Sequence, residues 1–363
     1  MRRFFLLLLP PALFAAAFYI LRPAEAVMDF AWRRAGAAWR FALGLLTSYL
    51  PFSLMEVLGT ALAVLLAAFL IALIVSLIRR RGVFRAARRL GSLVAAAAYG
   101  AAIFIWVYLP GYYAPPAYEG ALDRRDISSG ELAAALTFFR DRANELSGSV
   151  KRDGDGGFGE SVDDIITLSE LVYANAEGEF PRLSPSRARP KKMLYSEVMS
   201  RARFTGIYFA LTGEANVNTN EPRAFLPFTA AHELAHSHGV AREDEANFFA
   251  VAACLTSGVN AYEYSGCLAA LSYIGRALSG ADEGAFAEIS AGYAEGVRRD
   301  LEDNRLYWLG IAEQNARSPA VAAFSEAVNG TYDGYLKANG QASGARSYGE
   351  CVDLLAAWAL GRM

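Results

Sequence analysis

Val57 to Ile78 contains no charged residue and is almost wholly apolar. A helix needs about 20 such residues to cross the hydrocarbon core of a bilayer. No other feature limits the fold of this chain as strongly. Phe4 to Leu21 and Leu93 to Leu109 are also uncharged, the first broken by Pro10-Pro11. Both lie near the lower length limit for a span. A signal peptide is the rival reading of the first run, because Ala24-Glu25-Ala26 has the small-residue pattern of a cleavage site. The run is long for a signal peptide, and Arg22 interrupts the approach to that site, so a retained anchor is expected. The hydrophobic fraction of 54% is concentrated in the first 110 residues. The chain therefore divides into a membrane region, residues 1–110, and a second domain, residues 111–363.

Charge sets the expected orientation. Arg79, Arg80, Arg81, Arg85, Arg88 and Arg89 crowd the loop between the second and third runs, and Arg2-Arg3 precede the first. The preceding loop has only Arg33, Arg34 and Arg40 beyond Arg22. The excess of arginine on cytoplasmic loops puts the N-terminus and the Arg-rich loop inside. Three crossings then put residues 111–363 outside the cell. Trp32, Trp39 and the arginines between them suggest a helix lying at the outer interface. A net charge of −2 gives no case for nucleic-acid binding. Cys254, Cys267 and Cys351 are too few for a disulfide framework and fit no CxxC metal pattern. A single disulfide stays open for an exported domain.

The outer domain reads as mostly helical. Tyr112 to Ala117 is a linker at the membrane surface. Ser128 and Glu131 form a capping box that opens a helix to about Leu146. The Asp153 and Asp155 stretch resembles a calcium loop, but its glycine falls early and Gly157 stands where an oxygen ligand belongs, so a flexible turn is expected. Helices are expected over Val162–Ala176 and Ala188–Arg203, and a strand over Phe204–Leu211. GEANVN continues in extended form. From Phe228 onward the pattern is helical, with breaks near Gly239, Gly258, Gly280 and Gly340.

All three histidines lie in HELAHSH: His232, His236 and His238. On a helix, residues four apart share a face, so His232 and His236 can bind one zinc ion through neutral imidazoles. Glu233 stands beside the first ligand, placed as general base for a water acidified by the metal. HExxH also occurs by chance in ordinary helices. The small-residue approach, the stop at Gly239 and the acidic cluster that follows favour a metal site here. His238 is about 200° around the helix from His236 and belongs elsewhere. A third histidine in the spacing HExxHxxGxxH would fall on Arg242, which cannot bind zinc.

The third ligand is then Glu243 or Glu245. The helical face with Glu243 carries Ala246, Asn247, Ala250, Ala253 and Cys254. Small residues allow close approach to the HELAH helix, so this face favours Glu243. Asn247, one turn further on, could orient a ligand histidine. Glu245 remains the alternative.

HELAH followed by EDEAN resembles the gluzincin-type zinc peptidases, in which a glutamate of the next helix is the third ligand. In membrane-bound members that glutamate opens an ExxAD motif. Glu243 and Asn247 occupy those places, with asparagine replacing aspartate. EANFFA is also similar to peptidases whose ligand glutamate directly precedes alanine, which fits Glu245. The three runs, PFS, TGEANVN, PFTAAHELAHSHGVAREDEANF, YSG and SYGECVDLLAAWA together resemble a bacterial membrane family of unknown function. These resemblances imply a mainly α architecture: three transmembrane helices, then a mostly helical zincin-like domain with a small β element.

The expected function is that of a membrane-anchored zinc endopeptidase, with Zn2+ as cofactor and proteins or peptides near the bilayer as substrates. In zincins an edge strand pairs with the extended substrate; Phe204–Leu211 or GEANVN could supply it. Tyr264 is the candidate transition-state donor. The alternatives are a membrane sensor and a non-catalytic zinc scaffold. Glu233 argues against the scaffold, because a structural site has no use for that carboxylate.

Overall fold

The computed structural model describes residues 2–79, 82–344 and 349–363. Of the arginine-rich loop, Arg80 and Arg81 lie outside these residues, as do the side chains of Arg2, Arg3 and Arg85. Ser347 and Tyr348 of the SYGEC block lie outside them too.

Five helices make the N-terminal region: α1 (Arg2–Leu21), α2 (Glu25–Phe30), α3 (Ala37–Ser48), α4 (Leu54–Ile78) and α5 (Val83–Tyr108), with a π-helical turn at Ala31–Gly36 between α2 and α3. Ser53 caps α4, its hydroxyl accepting from the Glu56 backbone N–H at 3.2 Å. Among the described residues two helical stretches are long and apolar enough to cross a membrane, Leu54–Ile78 and Arg88–Tyr112. The expected first span falls short of that standard: its described apolar stretch is Leu6–Leu21. It ends at Arg22, whose guanidinium reaches the Tyr113 hydroxyl and lies over the Tyr113 ring. α1 packs on α5, where the Trp106 indole N–H donates to the Phe14 carbonyl at 2.7 Å. The segment between Trp32 and Trp39 is helical, as the π turn and the start of α3, and both indoles turn to the second region.

The second region is mainly helical. Its elements are α6 (Ser129–Ser147), α7 (Val162–Leu168), α8 (Ala174–Glu179), β1 (Lys191–Lys192), α9 (Ser196–Arg201), β2 (Gly206–Phe209), β3 (Glu214–Val217), α10 (Leu226–Ser237), α11 (Glu243–Thr256), α12 (Asn260–Ala281), α13 (Glu283–Ala291), α14 (Glu295–Ala316), α15 (Pro319–Ala338) and α16 (Val352–Leu360). The capping box of Ser128 and Glu131 opens α6 as expected. Two expected helices are corrected. Val162–Ala176 is broken by a 3-10 turn at Ser169–Leu171. Ala188–Arg203 is extended until β1 and becomes helical only at Ser196. Pro190 explains the second case, because a proline drives its predecessor out of helical geometry. At the Asp153 loop the aspartate Oδ1 accepts from the backbone N–H groups of Asp155 and Gly157, so the carboxylate serves its own turn.

The sheet has the order β1-β3-β2, with β1 parallel and β2 antiparallel to β3. α10 packs against β2 and β3 on one side and against α11 and α12 on the other. It is buried along its whole length, as its alanine-rich sequence allows. Gly266 of α12 passes so near α11 that a Cβ there would lie 2.6 Å from the Cys254 Cβ. Cys254, Cys267 and Cys351 are all buried, and none forms a disulfide among the described residues.

The two regions are joined by buried polar contacts. The Glu214 carboxylate of β3 accepts from the first two backbone N–H groups of α4, Leu54 and Met55, both at 2.8 Å. In return Glu56 of α4 accepts from the backbone of Leu194 at 3.0 Å and of Tyr195 at 2.8 Å. The Trp32 indole donates to the Gly239 carbonyl and that of Trp39 to the Ala210 carbonyl, both at 2.8 Å. Lys191 donates to the carbonyls of Thr47 and Leu50 at the end of α3. Replacing Glu214 by alanine strands two helix-terminal donors and should cost about 3 kcal/mol. Thermal unfolding of the detergent-solubilised protein should then begin several degrees lower; an unchanged transition would rule out this clamp.

Candidate metal centre

Two consecutive helices build the centre, and the turn between them does most of the positioning. α10 begins at Leu226-Pro227, where proline costs no hydrogen bond. It ends at Gly239, whose φ of 91° only glycine adopts without strain. The Val240 N–H returns to the Ala235 carbonyl at 3.1 Å and the Gly239 N–H to that of His236 at 3.2 Å, a Schellman closure. This turns the Val240 carbonyl back onto the helix, where it accepts from His236 Nδ1 at 2.8 Å. The Nδ1 proton is thereby fixed, and Nε2 is left facing inward as the ligand atom.

Arg242 then opens α11, and Glu243 is its first residue. Glu243 Oε2 lies 3.1 Å from His232 Nε2 and 3.7 Å from His236 Nε2. The three candidate donor atoms lie within 4.8 Å of one another, and all three residues are buried. This cluster could hold a metal ion, and its donor set of two imidazoles and one carboxylate fits zinc.

The alternative carboxylate is engaged elsewhere. Glu245 accepts from the Ala117 backbone N–H at 3.0 Å and pairs with Arg242 at 2.8 Å. Asp244 pairs with Arg124. His238 also leaves the centre, stacking on Tyr173 at 4.1 Å and meeting the Ser184 carbonyl and the Glu177 carboxylate. Asn247 is buried one turn beyond Glu243, on the cavity wall. Tyr264 is not brought to the centre. Its hydroxyl donates to Asp300 at 2.6 Å and accepts from Arg152 at 3.1 Å, on the side of α12 facing α14.

Sequence reasoning missed three contributors. Tyr332 of α15 donates its hydroxyl to Glu243 Oε1 at 2.6 Å across a separation of 89 residues. No local signal marks it. Gly206 opens the edge strand so close to α10 that a Cβ there would lie 2.7 Å from Glu233 Cγ. A glycine opening an aromatic, branched run is the available signal for such an approach. Glu221 is buried just before α10.

Glu233 is buried, and its Oε2 has no hydrogen-bond partner among the described residues. Burial raises its pKa to about 7, with His232 and His236 opposing, Glu243 adding, and the Tyr208 backbone N–H opposing again. Burial works against a charged His236, but the Glu243 carboxylate outweighs it and lifts the imidazole to about 9. For Glu243 burial acts upward, yet the two histidines hold its carboxyl well below the usual range. The ligand cluster is thus a charge-compensated knot with one unpartnered carboxylate oxygen beside it.

A cleft of about 860 Å³ opens over this knot, between β2, α10, α12, α14 and α15. His232, Glu233, Gly206 and Tyr332 all face it. β2 is the free edge of the sheet. The Asn218 N–H bond to the Thr205 carbonyl and the Ile207–Asn216 pairing show which backbone groups are spent on β3. Those of Gly206 and Tyr208 point the other way.

The chain belongs to the DUF3810 family, proteins of unknown function, whose profile matches residues 38–356. No curated protein and no solved structure matches it. The match runs from α3 into α16 and takes in every residue of the centre.

Replacing His232, His236 or Glu243 by alanine should abolish stoichiometric metal in this DUF3810 protein. Tyr332→Phe should retain the metal but bind it about tenfold more weakly. Elemental analysis after dialysis against a chelator series checks both. Full metal content in Glu243→Ala, or its loss in Glu245→Ala with an unchanged fold, would reassign the third ligand.

Proposed function

We propose that the protein is a membrane-anchored zinc metallopeptidase that cleaves proteins or peptides near the bilayer surface. One observation carries the reading. His232, His236 and Glu243 converge beside Glu233, whose buried Oε2 is unpartnered at a cleft. A non-catalytic zinc scaffold or a membrane sensor would need the ligands alone, and burying a further carboxylate would only weaken it.

Zinc bound by the three ligands would polarise a scissile carbonyl and make a water acidic enough to attack it near neutral pH. Glu233 Oε2 takes the proton from the attacking water and returns it to the departing amine nitrogen. The Tyr208 N–H holds the other side of that carboxylate group in place. The outward backbone of Gly206 and the Tyr208 carbonyl, at the edge of β2, take the extended substrate by main-chain hydrogen bonds. Tyr332 faces the cleft and spends its one hydroxyl proton on Glu243, so its part is to brace the third ligand.

The membrane placement belongs to the same proposal. α4 and α5 cross the bilayer, the arginines from Arg79 to Arg89 remain in the cytoplasm, and the cleft lies outside. The domain meets the membrane helices at the Leu54 end of α4 and the Tyr108 end of α5, which supports a single outer face.

Glu233→Gln should keep the metal and lose about 1000-fold or more in hydrolysis. Metal content and cleavage of a casein-derived peptide mixture, measured on the same preparation, test this. Wild-type cleavage rates in the glutamine variant would end the assignment. A C-terminal reporter active only in the cytoplasm should stay silent, and its activity would reverse the orientation.

A further inference from the structure

Glu221 has no role in the chemistry above, yet it is buried in the wall of the same cleft. Its Oε2 accepts from the Thr229 hydroxyl at 3.1 Å. Its Oε1 is buried with no hydrogen-bond partner, and no cation pairs with it, among the described residues. Burial pushes its pKa well above the usual carboxylate range; the Thr229 hydrogen bond opposes this and Glu233 adds to it. For folding alone an apolar side chain would serve better, because a lone buried carboxyl forfeits its hydration without compensation. The missing partner can come from a ligand.

The surroundings identify the ligand. Phe225, Phe228, Ala269 and Tyr273 line the same cleft as Glu221, so its wall offers apolar surface as well as an acidic group. Lysine and arginine side chains combine an aliphatic stem with a cationic head, which suits that combination. A free backbone amine carries no stem and has no use for the apolar surface. The position relative to the scissile bond follows from the sheet. The Asn218 N–H bonds to the Thr205 carbonyl, so the chain leaving β3 toward Glu221 lies at the end where β2 begins. A peptide running antiparallel to β2 brings its more C-terminal residues to that end. Thr229 is one helical turn from Glu233, so the pocket adjoins the reacting centre.

We propose that Glu221 is the specificity residue of the cleft and selects substrates with lysine or arginine immediately after the scissile bond. This rests on the peptidase reading.

The test uses the full-length, zinc-loaded protein in detergent with internally quenched peptides. These differ only at the residue after the cleavage point: lysine, arginine, norleucine, glutamine or glutamate. The basic peptides should be cleaved at least about tenfold faster, in kcat/KM, than the norleucine peptide. Glu221→Gln should bring that ratio close to one. Cleavage of all five peptides without a basic preference, or a preference that survives Glu221→Gln, overturns the proposal and leaves the peptidase reading standing. Cleavage of none of them by metal-replete protein overturns both. A second readout avoids turnover. By calorimetry, Glu233→Gln protein should bind the lysine peptide about tenfold more tightly than the norleucine peptide. Equal affinities would overturn the proposal, and the difference should vanish when Glu221→Gln is added.

Discussion

The centre depends on the Glu243 carboxylate lying between two histidines in a buried position. Each of these groups would be costly to bury alone. Together they compensate one another, and Tyr332 satisfies the remaining oxygen of Glu243. The arrangement requires α10 and α11 to pack closely within a few residues of chain. Alanine supplies the closeness: Ala230, Ala231 and Ala235 on α10 and Ala246, Ala250 and Ala253 on α11 are fully buried. The left-handed Gly239 supplies the turn. A larger residue at these places would separate the carboxylate from the imidazoles before it disturbed the outer helices.

The same turn ties the centre to the membrane region. Gly239, which ends α10, gives its carbonyl to Trp32, and a Cβ on Gly239 would lie 2.9 Å from the Arg40 guanidinium. Arg40 is itself fully buried and lies over the Trp32 ring at 3.8 Å. β3, which pairs with the edge strand, is fixed by Glu214 to the start of α4. α10 and the sheet are therefore each anchored to the N-terminal region. Leu194 and Tyr195 stay exposed beside α4, where the Tyr195 hydroxyl meets that of Thr60 at 2.8 Å. Thr60 lies within the apolar helix α4, so this edge of the domain packs on the apolar helix itself.

Much of this was legible in the sequence because it depends on short-range periodicity. The four-residue step from His232 to His236, the stop at Gly239 and the small-residue face of Glu243 are all local. So is the run from Val57 to Ile78. Failures came where a competing local rule or a distant contact decided the outcome. Pro190 overrode the apolar periodicity of Ala188–Arg203. The first apolar run is near the length limit and carries two prolines, so composition alone did not settle it. Tyr264 was read as a donor by its neighbourhood in the chain, but Asp300 and Arg152, on remote elements, hold its hydroxyl. Tyr332 and Glu221 reach the cleft only through tertiary packing, which no spacing in the sequence encodes.

The close approach of Gly206 to Glu233 joins the two halves of the site. A side chain at this point would force the edge strand away from α10, and both the Tyr208 hydrogen bond to Glu233 and the open backbone of Gly206 would move with it. The glycine thus keeps the Glu233 carboxylate against the edge strand. Burial raises the pKa of this carboxyl to about 7. A dication at the adjoining ligands would pull that value back down and favour the ionised base. Two opposed effects therefore act on the Glu233 carboxyl: burial, which raises its pKa, and the charge of the neighbouring imidazoles, which lowers it.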